Sequence, residues 1–530
     1  MKPLFQISAI IPFLLVPVFS VFATETDPIT QALLQIDPNR MLADVTELSS
    51  PRYEGRQAGT LGGRLSADFV AGRMKDLGLS PAGEGKRGVA TPSWFQEEPV
   101  RAPLLFNPAL LEFSILQGEQ GRQDIIPEFG KDFLPVLDSP AVNITAPVVF
   151  AGYGIDDPAR GMNDYDGINV QNRIVMFLRG KPPKYPKFVT HADKEKTARE
   201  KGAVGFITLT GPILNRYDAR RGMGHAPLAM YSSDPDERPL PGCWISGHLG
   251  ERLFASQTRS LREVQNHLNE GKDNRSKDLG ILAHLEWKST VQPGKLINVL
   301  GFVPGSDPIL RDETVIIGAH RDHFGRQAGL LFPGADDNAS GTALFLEVAR
   351  LITTHERPKR SILLVSFGGE ERDLLGSKLY VRNPARPLEK TVAMINVDHV
   401  GVGNGNLTVG VTHMPKSLAK EATELAGLIN KVKLYGYFPG GDHVPFAKVN
   451  IPTVAVVSSG THPSFHQPSD TAETIQLNVL ETATRYVLAL AWLFANPSYL
   501  GPTSAPGRTM PLSQPLPLDK NYLIYMNRTY

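Results

Sequence analysis

The chain has 530 residues, 41% hydrophobic and 21% charged, which allows several packed cores and excludes disorder across its bulk. Its 55 basic and 54 acidic residues leave a formal net charge of +1. With the basic residues scattered, this excludes the electrostatic footprint of a nucleic-acid or anionic-membrane partner.

Met1-Lys2 leads into an apolar stretch from Leu4 to Phe22, interrupted by Pro12 and Pro17 and closed by Val21-Phe22-Ala23. This pattern predicts a signal peptide over 1–23 cleaved after Ala23, hence an exported protein, periplasmic or secreted, with no stable membrane association after cleavage. An uncleaved anchor is the alternative, since about 20 apolar residues just span a bilayer. Cys243 is the single cysteine, so an intrachain disulfide is excluded and a small buried residue is expected there.

Residues 27–140 are expected to begin one domain, with helical spacing over 28–36, 41–48 and 62–77 and a glycine-rich stretch Gly55-Arg56-Gln-Ala-Gly-Thr60 between them. Residues 141–287 alternate short apolar runs with turns and one helical segment, which predicts an inserted β-rich domain. His191, His225, His248 and His284 lack ligand spacing and are expected to be ordinary surface or core histidines. From 288 to 495 short β-branched runs alternate with helices at 415–428 and 477–494, which predicts an α/β fold, an α/β/α sandwich with a mostly parallel central sheet. The tail 496–530 is proline-rich and reads as an extended strap or a disordered tail.

Five acidic or histidine stretches each follow an apolar run in this last region. Thr314–Ala319 ends in His320-Arg-Asp322-His323; on an extended chain residues two apart share a face, so His320 and Asp322 point the same way, an imidazole ligand with an orienting carboxylate. One of Asp336 and Asp337 reaches the site from a strand-to-helix turn. Glu370 and Glu371 follow Ser361–Phe367 and point in different directions, so one holds a cation while the other stays free as a base. Val392–Val397 delivers Asp398, and His466 follows Thr453–Ser458. Imidazoles mixed with carboxylates suit zinc, with manganese or cobalt as substitutes. Two ions roughly 3.5–4 Å apart would activate water for hydrolysis.

These motifs resemble the M28 family of zinc aminopeptidases and carboxypeptidases, and the Gly55–Thr60 stretch is similar to one before the family's first long helix. The resemblance implies two Zn2+ ions and peptide substrates. It makes His320 a ligand oriented by Asp322, Asp337 the bridging carboxylate, Glu370 the general base, Glu371 a terminal ligand, and Asp398 and His466 the remaining ligands. It also implies a cis peptide bond at Asp337-Asn338, and it makes Tyr437 a candidate oxyanion stabiliser. Arg321 and Asp373 depart from the family pattern, the latter where glycine is usual. His323, His399 and His443 are expected to support the site without binding metal. The 141–287 segment resembles a protease-associated (PA) domain, which typically borders the cleft without catalytic groups.

Aminopeptidase action is the first expectation, with carboxypeptidase or dipeptidase action as the alternative; Arg321, Arg326 and Arg372 are the cations near the site in sequence. An inactive receptor-like binding protein would have lost ligands or the base, and a glutaminyl cyclase-type transferase would use a single zinc. Neither fits the full set as well.

Overall fold

A computed structural model describes residues 27–83, 92–116, 121–235, 237–272 and 276–496. The expected signal segment and all of the proline-rich tail beyond Asn496 lie outside the described residues. No described helix is long and apolar enough to cross a membrane.

The predicted α/β/α sandwich forms around both faces of a parallel part of a 15-stranded sheet. Thr314–His320 lies parallel between Ser361–Phe367 and Thr391–Val397, and Thr453–Ser458 runs parallel to the latter. Side-chain alternation sorts these strands into two layers. Val315, Ile317, Leu364 and Ile395 pack with the helices Pro38–Leu48, Ser340–Thr354 and Leu477–Ala495. Ile316, Leu363 and Met394 face the other way, onto Tyr380 and Phe446 of the helices Leu375–Arg382 and His443–Lys448. Both faces being covered explains why these strands read as unbroken apolar runs.

Two long strands tie the halves of the molecule together. Lys277–Val303 pairs antiparallel with Phe95–Leu116 over a long ladder running from Ile281–Ile115 to Val299–Phe95. On one side it joins Ser361–Phe367 and on the other Val142–Phe150, so the sheet is continuous into the expected insert. There the strands 174–178, 205–209 and 242–245 extend it in parallel. The second core includes Leu105, Phe113, Phe133 and Leu137 together with Ile174, Ile207, Cys243 and Trp287. Residues from about 105 onward therefore pack with the segment expected to start at 141. The proposed boundary falls inside this core, because its strands were not recognisable before their distant partner was known. Cys243 is buried, as expected, and burial pushes its thiol up.

Candidate metal centre

Each predicted site residue sits where the parallel strands stop, the usual place for ligands in an open α/β sheet. His320 is the last residue of its strand, Asp398 follows Val397 directly, and Glu370 and Glu371 follow Phe367 after two glycines. Asp337 precedes the helix Ser340–Thr354, in a turn whose Asp337-Asn338 peptide bond is cis, as the resemblance implied. That turn is fixed from three sides. The Asn338 amide donates to Val397 O at 2.9 Å and accepts from Gly341 N at 2.9 Å. The Asp470 carboxylate accepts from Asp336 N at 2.8 Å and Asp337 N at 3.0 Å.

Asp337 is the centre of the constellation. Its Oδ1 lies 3.4 Å from His320 Nε2, which is itself 3.1 Å from Asp398 Oδ1. Its Oδ2 lies 3.2 Å from His466 Nε2, which is 3.6 Å from Glu371 Oε2. Both Asp337 oxygens are buried and accept no well-formed hydrogen bond. A buried carboxylate with no donor is costly; cations on either side remove that cost. The donor sets His320, Asp337, Asp398 and His323, Asp337, Glu371 each converge within 4.8 Å, so the residues fit divalent metal.

The local charges are unequal. Burial, joined by Asp398, Asp442 and Asp337, raises Glu370 well above the usual carboxylate range. Burial with Asp337 and Glu370 does the same to Glu371. Asp337 is held well below its usual value, the opposing effect of burial being overcome by His399, His466 and His323. Four carboxyl groups thus crowd one site, and burial and mutual repulsion push two of them up, an arrangement that bound cations would resolve.

The supporting contacts differ in part from expectation. His320 Nδ1 faces the backbone oxygen of Asp322 at 3.3 Å, whereas the Asp322 carboxylate is 3.8 Å away and accepts from Glu370 N at 3.1 Å. Asp322 therefore braces both the imidazole and the glutamate loop. His323 Nδ1 lies 2.7 Å from Glu371 Oε1 and orients that carboxylate. His466 Nδ1 donates to Ala229 O at 3.1 Å, so the inserted segment turns Nε2 toward Asp337. Tyr437 packs against His443 at 6.2 Å between rings, while its neighbours Phe438 to Gly441 form the cleft wall. The structure thus gathers all the expected ligands and Glu370 but leaves Tyr437 outside that wall.

His462 was not anticipated. Its Nδ1 is 2.6 Å from Asp336 Oδ2, and His399 Nδ1 is 3.7 Å from the same oxygen, while His399 Nε2 is 3.5 Å from Asp337 Oδ2. The spacing of His462 and His466, four apart in one loop, was the available signal. His399 has φ +48°, and its carbonyl accepts from both the backbone N and the hydroxyl of Ser458. Asp373 also has positive φ, +61°, which explains why glycine suits that position.

Arg56 accounts for the glycine-rich stretch. Fully buried, it donates to Leu48 O, Arg321 O, Pro333 O and Gly334 O at 2.5–2.7 Å, tying the His320 and Asp337 loops together. The cations expected near the site are occupied elsewhere. Arg321 donates to Ser366 O and Ile297 O, Arg326 pairs with Glu54, and Arg372 donates to Arg101 O and Pro235 O.

Residues 298–491 match the model of Peptidase family M28. A probable leucine aminopeptidase of Arthroderma otae is 24% identical over 335 residues, covering 59% of this chain and 91% of that protein. Aminopeptidase NAALADL1 of Mus musculus is 38% identical over 133 residues, covering 24% of this chain and 17% of the relative. The fold is similar to that of BSAP, a zinc aminopeptidase from Bacillus subtilis, with a TM-score of 0.58 at 21% identity over 88% of this chain and 97% of that one. Fold and family match together define a hydrolase of the metallo-exopeptidase class. The part that resembles Peptidase family M28 contains every proposed metal ligand.

Proposed function

We propose that the protein is a zinc aminopeptidase whose centre takes two ions, held by His320, Asp337 and Asp398 on one side and by Asp337, Glu371 and His466 on the other. The observation that carries this reading is Asp337, whose two buried oxygens lack donors and face opposite ligand sets. Bound zinc supplies Lewis acidity, polarising a peptide carbonyl and making water a usable nucleophile near neutral pH.

The chain's own residues do the rest. Glu370 lines the cleft beside Asp337 and is the base that takes the water proton and hands it to the leaving amine nitrogen. Asp322 holds its backbone in place. The acidic wall of Glu370, Glu371 and Asp398 suits a protonated N-terminus. His399 Nε2 lies near the ligands Asp337 and Asp398, and we assign it, in place of Tyr437, to donate toward the reacting carbonyl oxygen. Residues 141–287 act as an insert of the PA type, and residues 1–23 direct export; N-terminal sequencing of the mature protein checks the latter.

The test is release of amino acids from free, N-acetylated and C-amidated peptides by zinc-loaded protein, alongside Glu370→Ala. Cleavage that needs the free amine, tolerates amidation and falls about 10²–10⁴-fold or more in the variant supports the reading. A strict need for a free carboxylate moves the protein to carboxypeptidase action. No turnover with two zinc ions bound leaves a receptor-like protein.

A further inference from the structure

The cleft above the metal ligands, about 230 Å³, has a wall of opposite sign supplied by the inserted segment. Tyr217, Arg220 and Arg221 lie on or just after the helix Arg216–Arg220, facing Glu370, Glu371 and Asp398. The wall is fixed to the metal-site loop. Arg220 Nε donates to Gly460 O at 2.6 Å, and Arg220 O accepts from His462 N at 2.6 Å. Gly222 packs so closely on Pro463 that a Cβ there would meet its carbonyl oxygen at 2.7 Å.

Arg221 sits in this clamp with its guanidinium between two rings, 4.0 Å from the centre of Tyr217 and 4.7 Å from that of Phe465. Its Nε is buried and makes no hydrogen bond, and among the described residues it forms no ion pair with a carboxylate. A guanidinium stacked in this way is preorganised and keeps its planar fork of donors for a carboxylate. Phe465 in turn stacks on the ligand His466 at 3.6 Å. These contacts place the cation no more than about 8 Å from the ring of the ligand, roughly two Cα–Cα steps of a substrate.

We propose that Arg221, supported by Tyr217, is a substrate-carboxylate subsite, so that the enzyme favours short peptides carrying a carboxylate within two residues of the cleaved bond. This rests on the exopeptidase reading above. The carboxylate has two sources, the free C-terminus of a dipeptide or tripeptide and an acidic side chain.

The experiment measures kcat/KM of the zinc-loaded full chain on Leu-Leu, Leu-Leu-amide, Leu-Glu-amide and Glu-Leu-amide, for the wild type, Arg221→Met and Arg221→Lys. The wild type is expected to prefer at least one carboxylate-bearing peptide over Leu-Leu-amide by about tenfold or more. That ratio should fall to about one in Arg221→Met and lie between in Arg221→Lys, whose point charge lacks the fork. Preference for Leu-Leu assigns the subsite to the α-carboxylate; preference for either glutamate peptide assigns it to a side chain. A wild-type ratio near one, with all four peptides cleaved, overturns the subsite and leaves the exopeptidase reading standing. An unchanged ratio in Arg221→Met does the same. Should Arg221→Met fail to bind zinc or melt cooperatively, Tyr217→Leu takes its place, with the ratio expected to fall. No release from any of the four peptides by the wild type overturns both.

Discussion

Arg56→Ala tests the idea that one buried cation holds the metal centre's loops in register. The guanidinium donates to four backbone carbonyls, from Leu48, Arg321, Pro333 and Gly334. It does so from a backbone in which Glu54, Gly55 and Arg56 all have positive φ, +47°, +67° and +55°. A Cβ on Gly55 would meet Phe332 O at 2.5 Å and Gly325 O at 2.6 Å, so the turn is pressed against the loop it ties. Burial lowers the Arg56 pKa to about 10, against Asp470 and Asp322, and the group stays charged. Charged hydrogen bonds contribute about 1.5–3 kcal/mol each, a gross loss of roughly 6–12 kcal/mol. Removing a buried charge returns several kcal/mol of desolvation, so the net destabilisation is about 3–5 kcal/mol. Melting curves of the zinc-loaded protein should shift down by on the order of 5 °C. Zinc affinity should fall as well, because the His320 and Asp337 loops lose their common anchor. Arg56→Lys, with a single ammonium, should lie between. An Arg56→Ala protein that melts within a degree of the wild type and holds zinc equally well would refute this account.

His323→Ala removes the contact that orients Glu371, and zinc affinity measured by competition with a chelator should weaken about 10–100-fold. Zinc binding should release protons, since burial and neighbouring carboxylates raise Glu370 and Glu371 and bound cations reverse that shift, and calorimetry in buffers of different ionisation enthalpy should show it. Metal-free protein should lose stability as pH rises from about 6.5 to 8. Burial lifts Asp442 to about 7 and Asp470 to about 8, so folded protein keeps protons that unfolded carboxyls, near 3.9, have already released. Their stabilisation is complete below about pH 4 and is lost as pH climbs through the folded values. His323 and His466, held low, favour folding increasingly only up to the unfolded value of about 6.5 and do not oppose the trend above it. A metal-free melting temperature that rises across this window would contradict the assignment.

The parallel strands were legible because each is a short β-branched run buried on both faces, as at Thr314–His320 and Ser361–Phe367. The strand Phe95–Leu116 was not, nor was the part of Lys277–Val303 before Leu296. Pro99, Pro103 and Pro108 interrupt the first, and residues 288–295 of the second are largely exposed. Ladders with distant segments make strands of them, and such pairing leaves no local pattern. Packing of residues from about 105 with the segment after 141 was hidden for the same reason.

The metal centre shows which part of a site sequence can disclose. Ligand chemistry is a property of residue type, so His320, Asp337, Glu370, Glu371, Asp398 and His466 stood out at the ends of apolar runs. Orientation is a property of contacts. Nothing about Ala229 as a residue announces that its carbonyl sets the tautomer of His466, and nothing near Arg221 in sequence connects it to Phe465. Arg321, Arg326 and Arg372, close to the ligands along the chain, spend their donors on carbonyls or on Glu54. The cations that do line the cleft, Arg220 and Arg221, come from more than a hundred residues before Glu370, through a helix whose sequence mark is its Asn215 cap. Residues 141–287 therefore border the candidate centre: Ala229 O accepts from His466 Nδ1, and Arg220 and Arg221 line the cleft.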